Sequence, residues 1–313
     1  LKEKVFIKQW NKKIMLFKRY EHNPIISPDP KKHYEARTTY NPTAIVHNSK
    51  IYLIYRAEGE IGKYVSRLCM AISEDGYNFK KYEKNPIIEP TTPEEVGGCE
   101  DPRITKIEDK FYLLYTSYNG KQPVTPSTIN ESLATSKNMV NWEKHGTIVP
   151  GLKSAALFSE KINGKYIMFI GGEKIRIARS DNLFDWEIDE TGILDVREGK
   201  FDDRYVEVGP SPLVFDDKLA LFFNTSNKKG VFHPSLALLD KSDPSKVLYR
   251  ADKPIMTPTE EYEIKGYVPN VIFGEGLVEF SGTYFYYYGA ADNHVGVATA
   301  TKKEMEEYIA SLV

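Results

Sequence analysis

Two cysteines, Cys69 and Cys99, in 313 residues are too few for a disulfide framework, and each reads as a buried structural thiol. No apolar run approaches the length of a membrane span, so no membrane partner is expected, and Leu1–Tyr20 is too charged for a secretory core. Because the chain starts at Leu, location stays open: cytoplasmic if nothing was trimmed, periplasmic or secreted if a leader was removed. An excess of one charge is also missing. The 42 Lys and Arg stand intermixed against 44 Asp and Glu, which gives neither a basic stripe for nucleic acid nor an acidic tail. The six His are scattered, with no His-x-x-x-His, no Cys-x-x-Cys and no Gly-rich phosphate loop, so no metal and no cofactor is expected. Strand and helix signals do not alternate, which argues against a Rossmann fold or a TIM barrel.

What is abundant is aromatic: 12% of the chain, including 21 Tyr, within a hydrophobic share of 41%. That suits strands and carbohydrate-facing surfaces equally. Five segments repeat one pattern, a short strand, a polar turn and a strand heavy in Tyr, Phe, Leu and Ile. The turns are Asn48-Ser49-Lys50, Glu108-Asp109-Lys110, Asn163-Gly164-Lys165, Asp216-Asp217-Lys218 and Ser281-Gly282-Thr283, spaced from the low fifties to the mid sixties of residues. One four-stranded sheet per unit, closed into a ring, gives an all-β fold: a five-bladed β-propeller with a short terminal helix at Glu304–Leu312. A β-sandwich with coincidental hairpins is the plainer alternative. Residues 1–20 read as an N-terminal arm available for homo-oligomer assembly, and residues 21–313 as a single domain. Trp142 and Trp186 are expected in the core between sheets.

In such a ring the innermost strands line a shared axis, so equivalent positions converge. Counting back nine from the last residue of each turn gives Asn41, Asp101, Ala156, Gly209 and Gly274, and counting forward six gives Arg56, Thr116, Gly171, Asn224 and Gly289. Glu173, Glu207 and Asp292 lie beside these positions. The stretch Gly97-Gly98-Cys99-Glu100-Asp101-Pro102-Arg103 concentrates two carboxylates and a guanidinium, which is costly in a buried strand unless they satisfy one another or a polar ligand. A polar, carboxylate-lined axial pocket suits sugar recognition and glycosyl transfer. The bland readings are an Asp–Arg pair holding a loop, Glu207 paired with Arg204, and Glu173 facing solvent beside Lys174.

Gly-Gly-Cys-Glu-Asp-Pro-Arg at 97–103, Asn-Pro-Thr-Ala at 41–44, Tyr-Arg-Ala-Glu-Gly at 55–59 and Tyr-Gly-Ala-Ala-Asp at 288–292 resemble glycoside hydrolase family 130. The resemblance runs from about Tyr20 to about Thr301. It implies a five-bladed propeller acting on manno-oligosaccharides, either as an inverting β-mannoside phosphorylase or as a β-1,2-mannosidase. It also implies Asp101 as general acid, delivering its proton through a sugar hydroxyl, with Asn41, Arg56 and Asp292 holding the mannose. Arg103 would pair with Asp101 or the sugar, and His233 is either a loop residue or a substrate contact. The family's phosphate-binding Arg-Asn pair and Arg fall here at Lys153-Ser154 and Gly171, and a further expected Lys at about Tyr205. Gly-Gly-Glu at 171–173, Val-Glu-Val-Gly-Pro at 206–210 and Glu275-Gly276-Leu277-Val278 resemble the hydrolytic branch instead. The expectation is therefore an inverting β-1,2-mannosidase in which Glu173 and Glu207 activate water. The alternatives are a phosphorylase using Lys153 and Arg176 for phosphate, and a non-catalytic sugar-binding propeller.

Overall fold

The computed structural model describes residues 16–59 and 65–313. Most of the expected N-terminal arm, residues 1–15, lies outside that range. The remainder, residues 16–20, contains a two-residue strand, β1 (Lys18–Arg19). The described strands form four sheets, and the one of eight strands comprises two antiparallel units, which makes five units in chain order. The first holds β2 (Thr38–His47), β3 (Lys50–Glu58), β4 (Ser66–Ser73) and β5 (Lys80–Lys81). The second holds β6 (Gly98–Ile107), β7 (Lys110–Tyr118), β8 (Ile129–Ser136) and β9 (Glu143–Pro150), and the third β10 (Ala155–Leu157), β11 (Tyr166–Ile170), β12 (Lys174–Ser180) and β13 (Glu187–Asp195). The fourth holds β14 (Tyr205–Val208), β15 (Leu213–Phe215), β16 (Lys218–Ser226), β17 (Phe232–Asp240) and β18 (Val247–Arg250). The fifth holds β19 (Ile272–Phe280), β20 (Thr283–Ala290) and β21 (His294–Thr301), and takes β1 as its outermost strand through Lys18↔Thr299 and Arg19↔Ala298.

Each unit begins with a hairpin at one of the five turns read from sequence. The pairs His47↔Lys50, Ile107↔Lys110, Phe215↔Lys218 and Phe280↔Thr283 enclose two residues each, and Ile162↔Lys165 does the same in the third unit. Asn48, Glu108, Asn163, Asp216 and Ser281 have φ between +48° and +55°. That left-handed geometry matches the twist of the strands it joins, which explains the Asn, Asp, Ser and Gly in these turns. A second repeated device lies between the third strand of a unit and its edge. Ser73, Ser136 and Ser180 each accept from the N–H three residues on, at 2.9 Å, and a partly buried aromatic, Phe79, Trp142 or Trp186, follows six residues after each.

The core is partitioned between units. Tyr55 and Leu53 of the first unit pack with Tyr287 and Phe285 of the fifth, and Ile54 and Met70 of the first with Leu113 and Tyr115 of the second. Leu114 of the second unit meets Met168 and Ile170 of the third, Phe169 meets Leu221 and Phe223 of the fourth, and Phe222 meets Tyr286 of the fifth. Each unit thus buries one face against the next, and the fifth unit does so against the first. Trp142 and Trp186 sit in two of these seams, and Cys69 and Cys99 are free, buried thiols. The terminal helix α2 spans Lys302–Ala310, and a one-turn helix, α1 (Glu261–Ile264), precedes the fifth unit. Among the described residues, Ser66↔Gly98 is the strand pair that joins the first two units. Gly98 has φ +145°, and a Cβ there would meet Ser66 N at 2.6 Å, so the joint requires glycine.

Candidate active site

The first strands of three units bulge at one residue. Ladder register slips between Tyr40 and Pro42, between Glu100 and Arg103, and between Gly274 and Gly276, which throws Asn41, Asp101 and Glu275 out of the pleat. Asn41 has φ +46° and Asp101 +47°, and Asp292, in the turn after β20, has +50°. Glu173 at +72° and Ser154 at +65° share the left-handed conformation. Non-glycine residues resist it, so its concentration at one place marks a site held by its surroundings. Asn41, Asp101, Glu173 and Asp292, with Arg56 and Glu207, line one cavity of about 610 Å³.

Asp101 is the hub. Its Oδ1 accepts from Asn41 Nδ2 at 2.8 Å and from Arg56 Nη1 at 3.0 Å, and Lys153 Nζ lies 3.8 Å from Oδ2. Burial would raise its pKa, but the charges of Arg56, Lys153 and Arg103 and the Asn41 hydrogen bond outweigh that and hold the carboxyl well below the usual range. Its neighbours go the other way. Burial pushes Glu100 and Asp292 each up to about 7 despite the attraction of Arg56, with the Asp101 charge adding to the rise. Arg56 also reaches Glu58 and Glu100 at 3.0 Å each through Nη2, so one guanidinium serves three carboxylates.

Glu207 is committed to the third unit. It accepts from Lys153 Nζ at 3.1 Å and from Ser154 Oγ. Burial alone would lower the Lys153 pKa, but the charge of Glu207, followed by those of Tyr205 and Asp101, carries it well above the usual range. Glu131 fixes that segment from below by accepting the Ala155 N–H at 3.1 Å, and burial lifts its own pKa to about 8. Asp101, Glu207 and Glu275 each place an oxygen within 4.8 Å of the others. That is closer than the roughly 6.5–9.5 Å that leaves room for a water between an acid and a base. The three could hold a cation, but Lys153 and Arg103 already stand among them as counter-charges.

Two sequence-expected contacts lie elsewhere. Arg103 is not on the cavity wall but under its floor, 1% exposed, where its guanidinium donates to the carbonyls of Asp101 at 3.0 Å, Gly209 at 3.2 Å and Val208 at 2.7 Å. The break between β14 and β15 turns those last two carbonyls inward and draws the guanidinium down. His233 is buried in β17, its ring 6.2 Å from that of Phe201, and burial lowers its pKa. Neither residue is among those lining the cavity. Arg176, weighed as a phosphate ligand, instead pairs with Glu190 at 2.9 Å. Nor does Glu207 pair with Arg204, which lines the cavity with no acidic partner among the described residues. Sequence reasoning missed Glu100, Arg204 and Tyr205 on the wall and Glu275 and Glu131 beneath it. Adjacency to Asp101, Glu207 and the fifth-unit Gly-Glu-Gly was the available signal. An apolar part of the wall is formed by Val124, Ile129, Phe232, Val268, Val271 and Phe273, with Tyr40, Tyr118, Gln122 and Ser226 completing the lining.

Known proteins resemble the chain over most of its length. Over 297 residues, 92% of this chain and 98% of the relative, the sequence is 37% identical to a 1,2-beta-oligomannan phosphorylase of Thermoanaerobacter sp. (strain X514). It is 36% identical to a beta-1,2-mannobiose phosphorylase of the same organism, again over 92% of this chain and 98% of the relative. One solved structure is described by the statement that the GH130 family of mannoside phosphorylases contains glycoside hydrolases that target beta-1,2 mannosidic linkages in Candida mannan. It superposes with a TM-score of 0.84 at 31% identity, covering 92% of this chain and 94% of that one. The model of the family Glyco_hydro_130, described as beta-1,4-mannooligosaccharide phosphorylase, matches residues 4–310, and the chain belongs to glycoside hydrolase family 130.

Proposed function

We propose that the five units form a five-bladed β-propeller whose axial cavity cleaves β-1,2-linked manno-oligosaccharides with inversion, passing the mannosyl group to inorganic phosphate. The substrate and the acceptor follow the names of the two Thermoanaerobacter relatives. The structural observation that carries the acceptor is Arg204, a wall arginine without an acidic partner among the described residues, on the same cavity as Lys153 and Tyr205. Five carboxylates, Glu100, Asp101, Glu173, Glu207 and Asp292, face three cations, Arg56, Lys153 and Arg204, which at first sight repels an anion. With Glu100 and Asp292 raised to about 7, however, part of that negative charge is absent at neutrality. Phosphate then has two cations to bind and competes with Glu207 for Lys153.

In this reading Asn41, Arg56 and Asp292 hold the mannose. The C1–O bond to the leaving sugar breaks as a phosphate oxygen bonds to C1 from the opposite face. The leaving oxygen takes a proton from a sugar hydroxyl, which is re-supplied by Asp101. Asp101 is ionised in the empty pocket, so it gains that proton as substrate displaces its partners. Glu100 and Asp292 are the adjacent carboxyls that carry one near neutrality.

Hydrolysis is the second reading. What favours it is Glu173, exposed on the same wall, together with the solved relative's description as a glycoside hydrolase. Glu207, fastened to Lys153 and Ser154, is the weaker candidate base. Incubating the protein with β-1,2-mannobiose, with and without phosphate, separates the readings. Phosphorolysis yields mannose 1-phosphate plus mannose only with phosphate, whereas hydrolysis yields mannose alone in both. Asp101→Asn is expected to cut turnover by about 10²–10⁴-fold. Mannoside binding without turnover in the parent protein points to a sugar-binding propeller.

A further inference from the structure

Arg19, on β1, lies outside the cavity and fastens the segment that leads into β19. Its Nε donates to Glu263 Oε1 at 2.6 Å, and its Nη2 to Glu263 Oε2 at 2.9 Å and to the Thr257 carbonyl at 2.6 Å. Glu263 is fully buried and also accepts from the Tyr288 hydroxyl at 2.9 Å and from the N–H groups of Thr259 at 2.9 Å and Glu260 at 3.2 Å. A carboxylate held by this many donors in a dry interior is fixed in place, because moving it strands a charge.

The anchored segment continues to the cavity through four backbone hydrogen bonds. Val271 N–H donates to the Glu263 carbonyl at 3.0 Å, and Ala291 N–H donates to the Val271 carbonyl at 3.1 Å. Val268 N–H donates to the Ala291 carbonyl at 3.1 Å, and Phe232 N–H to that of Asn270 at 2.9 Å. Phe232, Val268 and Val271 form part of the apolar wall, and Ala291 precedes Asp292 in the left-handed turn that brings this carboxyl to the cavity.

We propose that Arg19 and Glu263 are positioning residues for substrate: through Val271 and Ala291 they set the apolar wall and the Asp292 turn against which the mannoside binds. The identity of that substrate rests on the functional reading above. The clasp itself is a property of the structure and is tested separately. It touches no reacting atom, so its loss loosens binding while the chemistry at Asp101 stays intact.

The test uses Arg19→Ala and Arg19→Lys in the full chain. For Arg19→Ala the KM for β-1,2-mannobiose rises about tenfold with kcat within about twofold. Arg19→Lys, which keeps the charge but only one donor nitrogen, recovers part of the loss. Hydrogen exchange at the Val268, Val271 and Ala291 amides speeds up, while Leu113 in the second unit is unchanged. A lowered melting temperature with unaltered KM and unaltered exchange at those three amides overturns the proposal and leaves a purely structural clasp. If the parent protein does not cleave mannobiose, the functional reading fails, and the exchange measurement still decides whether the clasp holds the wall.

Discussion

Asp101 and the carboxyls around it titrate in opposite directions for one reason, the distribution of a few cations among many buried acids. Arg56 lies 3.0 Å from Asp101 and holds it ionised with help from Lys153, while Glu100, Asp292 and Glu131 receive too little positive charge to offset their burial. This fixes the sign of a pH effect. Glu100 and Asp292, at about 7, and Glu131, at about 8, keep protons in the native state that the unfolded chain releases near 3.8–4.5. Their contribution to stability is complete below those unfolded values and is lost as pH climbs through 7 and 8. The contribution of Asp101 is present above its unfolded 3.8 and is lost as pH falls below that. The two trends cross in mildly acidic solution. The melting temperature is therefore expected to be a few degrees higher at about pH 5 than at about pH 8, and Asp292→Asn should flatten the alkaline decline. A melting temperature that rises steadily from acid to alkaline pH would contradict this picture of the pocket.

At the scale of elements, the bulged first strands explain both what sequence counting reached and what it missed. Polar turn residues announced the hairpins because only certain side chains accept the left-handed φ. From those turns a fixed count reached Asn41 and Asp101 correctly. In the fifth unit the arm is one residue shorter, with Gly276↔Tyr287 beside the bulge where the first unit has Pro42↔Tyr55, so the same count landed on Gly274 and passed over Glu275. No local feature of the sequence reveals a one-residue change in arm length. Glu275 Oε1 lies 2.8 Å from Arg103 Nη2, though without the alignment of a hydrogen bond. Burial carries the Glu275 pKa well above the usual range against the pull of Arg103, while the guanidinium keeps its charge. The two partners therefore differ in what their removal does. Glu275→Gln conserves shape and a neutral head, and is expected to cost less than about 1 kcal/mol. Arg103→Met removes one of the charges beside Asp101 and Glu207 and frees three buried carbonyls, at a cost of about 3–5 kcal/mol. Urea unfolding of the two variants checks the asymmetry, and equal losses would mean that Glu275 is ionised.

Across the whole molecule, the predominance of strands and the repeated hairpins were legible because each hairpin buries one sheet face against a neighbour. What sequence could not show is how the last unit is completed. Leu16–Tyr20 reads as part of a Lys-rich arm without periodicity, since a two-residue edge strand is too short to show alternation. In the structure those residues supply the outer edge of the fifth unit. Phe17 is fully buried and stacks on Tyr286 with ring centroids 4.9 Å apart, and Leu16 joins the same cluster beside Met305 and Ile309 of α2. Leu16, Phe17 and α2 are therefore fastened to one sheet, and with them the seam between the fourth and fifth units. A protein shortened to begin at Glu21 loses the Phe17 and Leu16 packing, at about 3–5 and 2–5 kcal/mol for side chains of this kind, and leaves Glu263 buried without Arg19. That sum approaches the whole stability of an ordinary domain. The shortened chain is expected to melt at least 10 °C lower or to fail to fold, whereas Phe17→Leu, which keeps most of the buried volume, should fold with a modest loss. Thermal unfolding followed by circular dichroism distinguishes these outcomes. An unchanged melting temperature on shortening would show that the fifth unit is stable without its outer strand.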